Sequence, residues 1–197
     1  TSGQSGGVTR AAETLNNAGN SDLINSTEGV LYAEISALAD DNTDRRIFLS
    51  DGTMNNYVAI GYSRFTGNII AEMISGGVLQ TLSFGATGVT QTNYNKFAFS
   101  WGSGTMKFYV NGTQTNTESV TSPTGLNVLE FNTAVDTLFM YSRCKTVAVF
   151  KEALSDTELA CLTSTNNREI FLNYYYRMQY VGANTEALSC AEQTFNI

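Results

Sequence analysis

The chain has 197 residues, of which 42% are hydrophobic and 11% aromatic, with one proline. This length and composition fit one domain with a sizeable core and exclude a disordered or low-complexity chain. The formal net charge of −7 offers no basic surface to a phosphate backbone, so no nucleic-acid partner is expected. No apolar stretch is long enough to span a bilayer, so no membrane insertion is expected either.

The N-terminal residues 1–20 are polar and show no strong periodicity, so we expect a linker or extension there rather than a signal peptide. From Val30 onward the pattern has a period of two. Leu31, Ala33 and Ile35 alternate with a more polar set, which predicts a strand with one core face. The folded domain is expected to span residues 21–165.

Short strands joined by tight turns follow. Alternation predicts strands at residues 46–50, 57–63, 68–74 and 78–84. The dipeptides between them supply the positive φ angles or Asx bonds of turns: Asp51-Gly52, Thr66-Gly67 and Gly76-Gly77. Short strands with tight turns predict an antiparallel sheet.

The clearest hairpin spans residues 95–113. Its two apolar sets are Phe97, Phe99 and Trp101 on the first strand and Met106, Phe108 and Val110 on the return. Gly102-Ser103-Gly104 makes the first turn and Asn111-Gly112 the second. Further strands are predicted at residues 137–142 and 145–151, giving about ten strands, a number that suits two packed sheets.

One short helix is predicted after the last strand. Ser155 and Glu158 have the spacing of a capping box, and Leu154 and Leu159 occupy the hydrophobic-staple positions. The helix is expected to pack on the sandwich and to end at Asn166-Asn167.

The segment 166–197 departs from the strand pattern and is expected to form a C-terminal tail, with a second short helix at residues 185–193. Its tyrosines combine a large apolar area with a polar group, so we expect them to dock on the domain or on a neighbouring subunit. They are Tyr174, Tyr175, Tyr176 and Tyr180.

Three cysteines are too few for a disulfide framework or a paired zinc site. Reduced, buried thiols are the favoured interpretation, with a Cys144–Cys161 bridge as the alternative and Cys190 as the third cysteine. Assembly in a reducing cytoplasm is consistent with reduced thiols.

Catalytic residues are sparse. The chain has no histidine, which excludes Ser-His and Cys-His nucleophile systems. The paired-carboxylate string of sandwich-fold glycosidases, Glu-x-Asp-x-x-Glu, does not occur, and Glu34 and Glu72 stand singly on predicted strands. The protein is therefore expected not to be an enzyme.

Two weaker candidates for binding remain. Asp40, Asp41 and Asp44 could supply oxygen ligands to calcium, although a solvated loop beside Arg45 is the favoured interpretation, and no cofactor is otherwise expected. Aromatic rings on a sheet face or rim could hold sugars. Trp101 aligns with core residues, so the surface candidates are Tyr57, Tyr62, Phe65 and Tyr109.

Two segments resemble a known family. The strand and turn at residues 107–112 resemble the hairpin of concanavalin A-like and laminin-G-like jelly rolls, and residues 147–159 resemble their closing strand and capped helix. Residues 28–35, 48–52 and 159–163 add a resemblance to domains of phage tail-fibre and virion proteins. The resemblance implies an all-β, two-sheet antiparallel jelly-roll sandwich that binds glycans or proteins at a rim.

The leading hypothesis is thus a non-enzymatic adhesion or structural domain of a phage virion: a tail-fibre, receptor-binding or decoration protein. It would be assembled in the host cytoplasm as a homo-oligomer and would bind other virion proteins or a host surface glycan. The alternative is an extracellular carbohydrate-binding module of a secreted or cell-surface protein. A glycoside hydrolase or lyase is the third hypothesis.

Overall fold

The computed structural model describes residues 19–64, 69–84, 89–131 and 140–165. In these ranges the chain forms ten strands and one helix. The strands are β1 Gly29–Ala37, β2 Arg45–Ser50, β3 Tyr57–Tyr62, β4 Ile69–Ser75, β5 Val78–Phe84, β6 Asn95–Gly102, β7 Thr105–Val110, β8 Thr113–Ser119, β9 Val128–Glu130 and β10 Ser142–Phe150. The helix, α1, is Asp156–Thr163.

The strands form two antiparallel sheets of five. Sheet I has the order β10-β1-β6-β7-β8, and sheet II has the order β5-β4-β3-β2-β9. The first strand pairs with β6 on one side and with β10 on the other, so the chain crosses between sheets instead of running as a plain meander. The protein is a jelly-roll sandwich, as predicted.

The main core lies between the sheets. Leu31, Ala33 and Ile35 face it from β1, as their alternation predicts. The aromatic set of the predicted hairpin also lies there: Phe97, Phe99, Trp101 and Phe108 are fully buried. Cross-strand pairing of Phe99 with Phe108 puts these rings on one face.

A second apolar layer covers the outer face of sheet I, so the prediction that β1 has a single core face is wrong. Val30 and Tyr32 are buried on its other side, in a cluster with Leu154, Leu159 and Leu162. The last two of these leucines belong to α1, which packs across this face. A strand covered on both sides buries both sets of its alternating residues.

Several boundaries differ from the sequence predictions. Two strands were missed: β8 is rich in polar residues and β9 is three residues long, so neither shows apolar alternation. Residues 142–150 form one continuous strand, where two strands with a break after residue 142 were predicted. Residues 137–139 of the first predicted strand lie outside the described ranges.

The two turns of the predicted hairpin have the expected geometry, whereas the predicted Thr66-Gly67 turn lies outside the described residues. Asn111 and Gly112 have φ angles of 50° and 87°, and Ser103 and Gly104 have φ angles of 51° and 75°. Two successive positive φ angles define the primed turns that match strand twist in a two-residue hairpin.

The helix begins as predicted and ends earlier. Ser155 N donates to Glu158 Oε2 at 2.8 Å, and Glu158 N donates to Ser155 Oγ at 3.4 Å, which completes the capping box. The last helical residue is Thr163, because Ser164 already has extended ψ of 138°. No helix in the described ranges is long and apolar enough to cross a membrane.

The cysteines fit neither sequence interpretation in full: Cys144 is reduced but exposed, and Cys161 is not reduced. Cys161 on α1 is disulfide-bonded. Cys144 on β10 is an exposed thiol outside any disulfide, so it is neither buried nor the partner of Cys161. The third cysteine, Cys190, lies in the tail, outside the described residues.

Candidate functional site

The aromatic candidates that the structure describes are buried, so the prediction that they lie at the surface is wrong. Tyr62 is fully enclosed in the main core, where its hydroxyl donates to Ile35 O at 2.8 Å and accepts from Asn95 Nδ2 at 2.9 Å. Burial raises the pKa of Tyr62 to about 12. Tyr57 and Tyr109 are also buried, on the outer faces of the two sheets.

The remaining aromatic predictions cannot be placed. Phe65 and the tail tyrosines fall outside the described ranges, so ligand binding by Phe65 and assembly through the tail stay predictions. The tail residues concerned are Tyr174, Tyr175, Tyr176 and Tyr180.

Two of the three carboxylates in the acidic loop at residues 40–44 pair with arginine side chains. Arg45 Nη2 donates to both carboxylate oxygens of Asp41, at 2.7 and 2.9 Å, and this pairing lowers the pKa of Asp41. Asp44 is buried and accepts from Arg46 Nη2 at 3.2 Å. Among the described residues, Asp40 included, no set of three His, Cys, Asp or Glu side chains could hold a metal ion. Calcium binding here stays a prediction without a carboxylate cluster to support it.

An ionic cluster lies on the outer face of sheet II. Arg46 Nη1 contacts Glu72 Oε2 at 2.5 Å, and the Tyr57 hydroxyl donates to Glu72 Oε1 at 2.7 Å. Burial and then this hydrogen bond raise the pKa of Tyr57. The Arg46 and Glu72 side chains keep only 16% and 14% of their surface exposed, so the cluster offers little to a ligand.

An open groove is present on the outer face of sheet I. It has a volume of about 260 Å³ and lies between the β6–β7 turn and the segment that leads into α1. Its lining residues are Ser100, Gly102, Ser103, Thr105, Lys107, Ala153 and Leu154.

The hairpin register explains why these residues meet. Ser100 pairs with Lys107, and Gly102 pairs with Thr105, so members of each pair project from the same face of sheet I. Leu154, the staple residue before α1, is held in the second apolar cluster and closes the opposite wall.

Gly102 permits the close approach of that wall. Its φ is +157°, and a Cβ at this position would lie 3.1 Å from Ala153 Cβ and 3.0 Å from Glu28 Cβ. Such contacts are tighter than ordinary van der Waals packing, so a side chain at 102 would push the wall outward.

The polar groups of the groove have spare hydrogen-bonding capacity. Within the described part of the chain, the hydroxyls of Ser100, Ser103 and Thr105 make no hydrogen bond to another residue. A hydroxyl offers one donor and two acceptor sites. The floor and rim of the groove therefore present both kinds of group to a polar ligand.

One ion pair borders the groove. Lys107 Nζ lies 2.6 Å from Asp156 Oδ1, in the first turn of α1, and this contact lowers the pKa of the Asp156 carboxyl. The Tyr109 hydroxyl donates to the same oxygen at 3.1 Å, and burial followed by this hydrogen bond raises the pKa of Tyr109 to about 12. Tyr109 therefore supports the pair from beneath and does not line the groove.

Sequence reasoning missed this groove because none of its lining residues is aromatic, acidic or a nucleophile with a base. Serine, threonine and glycine at a hairpin turn are also what an ordinary turn contains. The sequence feature that could have indicated the groove is a lysine, Lys107, placed shortly after the β6–β7 turn, and this feature alone indicates a binding site only weakly.

The sequence matches no family model, and no curated protein is similar to it. Several solved structures have a similar fold. The CBM40 carbohydrate-binding module of the Ruminococcus gnavus IT-sialidase, bound to α2,3-sialyllactose, has a TM-score of 0.56 and 15% identity over 71% of this chain and 84% of that chain.

Two other similar structures widen the comparison. The NanB sialidase from Streptococcus pneumoniae has a TM-score of 0.60 and 18% identity, covering 80% of this chain and 28% of the sialidase. The heptameric SAP-like pentraxin from Limulus polyphemus has a TM-score of 0.55 and 10% identity, covering 81% and 80%. At these identities the similarity establishes the jelly-roll fold.

Proposed function

We propose that this protein is a non-catalytic carbohydrate-binding module and that the groove on sheet I holds a single sugar ring. The observation that carries the proposal is the set of three unengaged hydroxyls beside Lys107 in an open groove. A sugar presents a ring of hydroxyls that need donors and acceptors in close alternation, and the groove supplies both.

The size of the groove supports a small ligand. A volume of about 260 Å³ is the share of roughly nine water molecules in the liquid. It falls just below the range of pockets that hold drug-sized molecules, about 300–1,000 Å³. One ring with its substituents is on this scale, whereas a run of several sugars would extend beyond it.

The chemistry of the walls supports a sugar in particular. Ala153 and Leu154 offer apolar contact to the C–H face of a ring, while Lys107 and Asp156 offer charged donor and acceptor groups to its hydroxyls. Hydrogen bonds to charged groups are worth about 1.5–3 kcal/mol, more than those between neutral groups. The ion pair is therefore expected to supply much of the affinity.

The setting is also part of the proposal. The carbohydrate-binding alternative is better supported than the virion role, because a carbohydrate-binding module is among the similar structures and none of those named is a virion protein. The disulfide at Cys161 supports an extracellular location, since disulfides persist outside the reducing cytoplasm. A phage adhesion protein is one kind of molecule in which such a module would act.

Glycan binding by matched lysine variants tests the proposal. Lys107 and Lys145 each form an ion pair on sheet I, with 32% and 34% of the side chain exposed, but only Lys107 lines the groove. The wild-type protein is screened on a glycan array, and 3′-sialyllactose, 6′-sialyllactose and lactose are titrated by calorimetry. The variants Lys107→Ala and Lys145→Ala are then titrated with every glycan that binds.

We expect Lys107→Ala to weaken binding about tenfold or more and Lys145→Ala to leave it within about twofold, because a lost charged hydrogen bond costs at least roughly 1.4 kcal/mol. The proposal fails if no glycan binds the wild type. It fails equally if the two variants bind alike.

A further inference from the structure

The disulfide on helix α1 needs a second cysteine. Cys161 is disulfide-bonded, and the chain contains two other cysteines, Cys144 and Cys190. The structure holds a single chain, so the bond lies within that chain. The partner of Cys161 is therefore either Cys144 or Cys190.

Cys144 is excluded by its place in sheet I, where it carries a thiol on β10. Helix α1 contacts mainly β6, β7 and β8, whereas β10 lies at the opposite end of the sheet, with β1 between β10 and β6. Neighbouring strands are about 4.8 Å apart, so β10 lies roughly 10 Å or more from the strands under α1. A disulfide joins residues whose Cα atoms are no more than about 7 Å apart.

The side chain of Cys161 lies on the face of α1 that is turned away from sheet I. Leu159 and Leu162 are buried against the sheet. Successive residues of an α-helix are about 100° apart around the axis, so residue 161 lies roughly 200° from Leu159 and roughly 100° from Leu162. Cys161 is accordingly only partly buried. Its partner must approach from outside the sandwich.

We propose that Cys161 forms its disulfide with Cys190 and that this bond ties the C-terminal tail to α1. The tail follows directly after the helix, where the carbonyl of Ser164 accepts a hydrogen bond from Lys96 Nζ at 2.7 Å. Cys161 lies in the last turn of the helix. An extended residue spans about 3.3 Å, so the chain between residues 166 and 189 is long enough to return to Cys161.

Formation of this bond is an oxidation. The thiols of Cys161 and Cys190 lose two protons and two electrons, and a small-molecule disulfide such as oxidised glutathione accepts them and becomes two thiols. One cysteine thiolate displaces the first thiol from the small disulfide, and the other thiolate then displaces the second thiol from the mixed disulfide. Such a bond persists in an oxidising compartment, in agreement with the extracellular setting proposed above.

The bond would anchor the end of the chain on the same side of the sandwich as the groove. Cys161 follows Asp156 by about 7.5 Å along the axis of α1, and Asp156 pairs with Lys107 at the border of the groove. The bond would also hold the tail together after a cut. Arg168 and Arg177 lie between the two bonded cysteines, so a protease that cleaves after either would leave the C-terminal piece attached.

Tryptic peptide mapping measures the pairing directly. The full chain, purified without reductant, is treated with iodoacetamide in denaturant and then digested. Complete cleavage places Cys161 in peptide 152–168 and Cys190 in peptide 178–197, while Cys144 falls in a dipeptide. We expect mass spectrometry to find the two long peptides joined until reductant is added and to find Cys144 alkylated.

Two serine variants serve as a matched pair. Cys144→Ser should keep the two peptides joined, whereas Cys190→Ser should let iodoacetamide label Cys161 without reduction. On a non-reducing denaturing gel the wild-type chain should run as a monomer. The proposal is overturned if peptide 152–168 is joined to a second copy of itself or to the dipeptide, or if Cys161 of the wild type is alkylated before reduction. A disulfide-linked dimer on the gel overturns it as well.

Discussion

Helix α1 joins the groove to the apolar layer beneath it, and truncation of Leu159 tests that connection. Leu159 has no exposed surface and packs in the cluster formed by Val30, Tyr32, Tyr109 and Leu162 on sheet I. Replacing it with alanine truncates the most deeply buried apolar side chain of the helix and leaves the capping box intact.

The expected cost follows from burial. Truncating a buried leucine to alanine costs about 2–5 kcal/mol, and the value depends on how far the neighbours close the cavity. The helix lies on the outside of the sandwich and can move inward, so we expect about 3 kcal/mol. Domains of this kind are stable by about 5–15 kcal/mol in total, so the variant should still fold.

Urea denaturation followed by circular dichroism measures the change, with Leu38→Ala as the matched control. Leu38 is an exposed leucine, and its truncation should change stability by no more than about 0.5 kcal/mol. Because Leu154 and Asp156 are set by the docking of α1, we also expect Leu159→Ala to weaken glycan binding even under conditions in which it is fully folded.

A loss below about 1 kcal/mol for Leu159→Ala would show that α1 does not pack on sheet I as described. Unchanged glycan binding alongside a large loss of stability would separate the helix from the groove. Either result would refute the reasoning that links the second apolar layer to the site.

Three further predictions concern the sandwich itself. Gly61→Ala should cost about 3 kcal/mol or more in urea denaturation, because the φ of Gly61 is +151° and a Cβ there would overlap the carbonyl of Arg45. The control Gly52→Ala changes a glycine that also has positive φ but lies in open space, so it should cost about 1 kcal/mol. Equal losses of stability in the two variants would contradict this prediction. In protein purified without reductant and then denatured, iodoacetamide should not label Cys161 until reductant is added. Peptide mass spectrometry follows the labelling. Labelling of Cys161 before reduction would show that its disulfide is absent. Tyr62 should ionise only near pH 12, which ultraviolet absorbance monitors. Because folding raises the pKa of Tyr62 from about 10, its contribution to the free energy of unfolding is full below pH 10 and falls as the pH rises, by about 2 kcal/mol at pH 12. Ionisation of all tyrosines at pH 10 in the folded protein would refute this prediction.

Much of the fold could be predicted from local pattern. Alternation at Leu31, Ala33 and Ile35 gave the core face of β1, and the Asn111-Gly112 dipeptide gave the turn after β7. The capping box at Ser155 fixed the start of α1 to the residue. These features depend on backbone conformation and on neighbours within a few positions, and such information is written in the sequence itself.

The candidate site could not be predicted in the same way. Tyr57, Tyr62 and Tyr109 were predicted to lie at the surface, but all three are buried. The packing of the sheets and of α1 decides which faces stay exposed, and the sequence does not show that packing. The short polar strand β8 was missed for a similar reason, since it is held by pairing with β7 and not by its own apolar pattern.

Sequence alone thus determined the all-β class, the tight turns and the helix cap, because each follows from local conformational preference and a period of two. Tertiary structure alone decided that sheet I carries a second apolar layer, that Lys107 meets Asp156 across 49 positions of the chain, and that β5 is left at an edge. Contacts between distant segments depend on how the strands are ordered in space, and that order is set by the burial of the whole core.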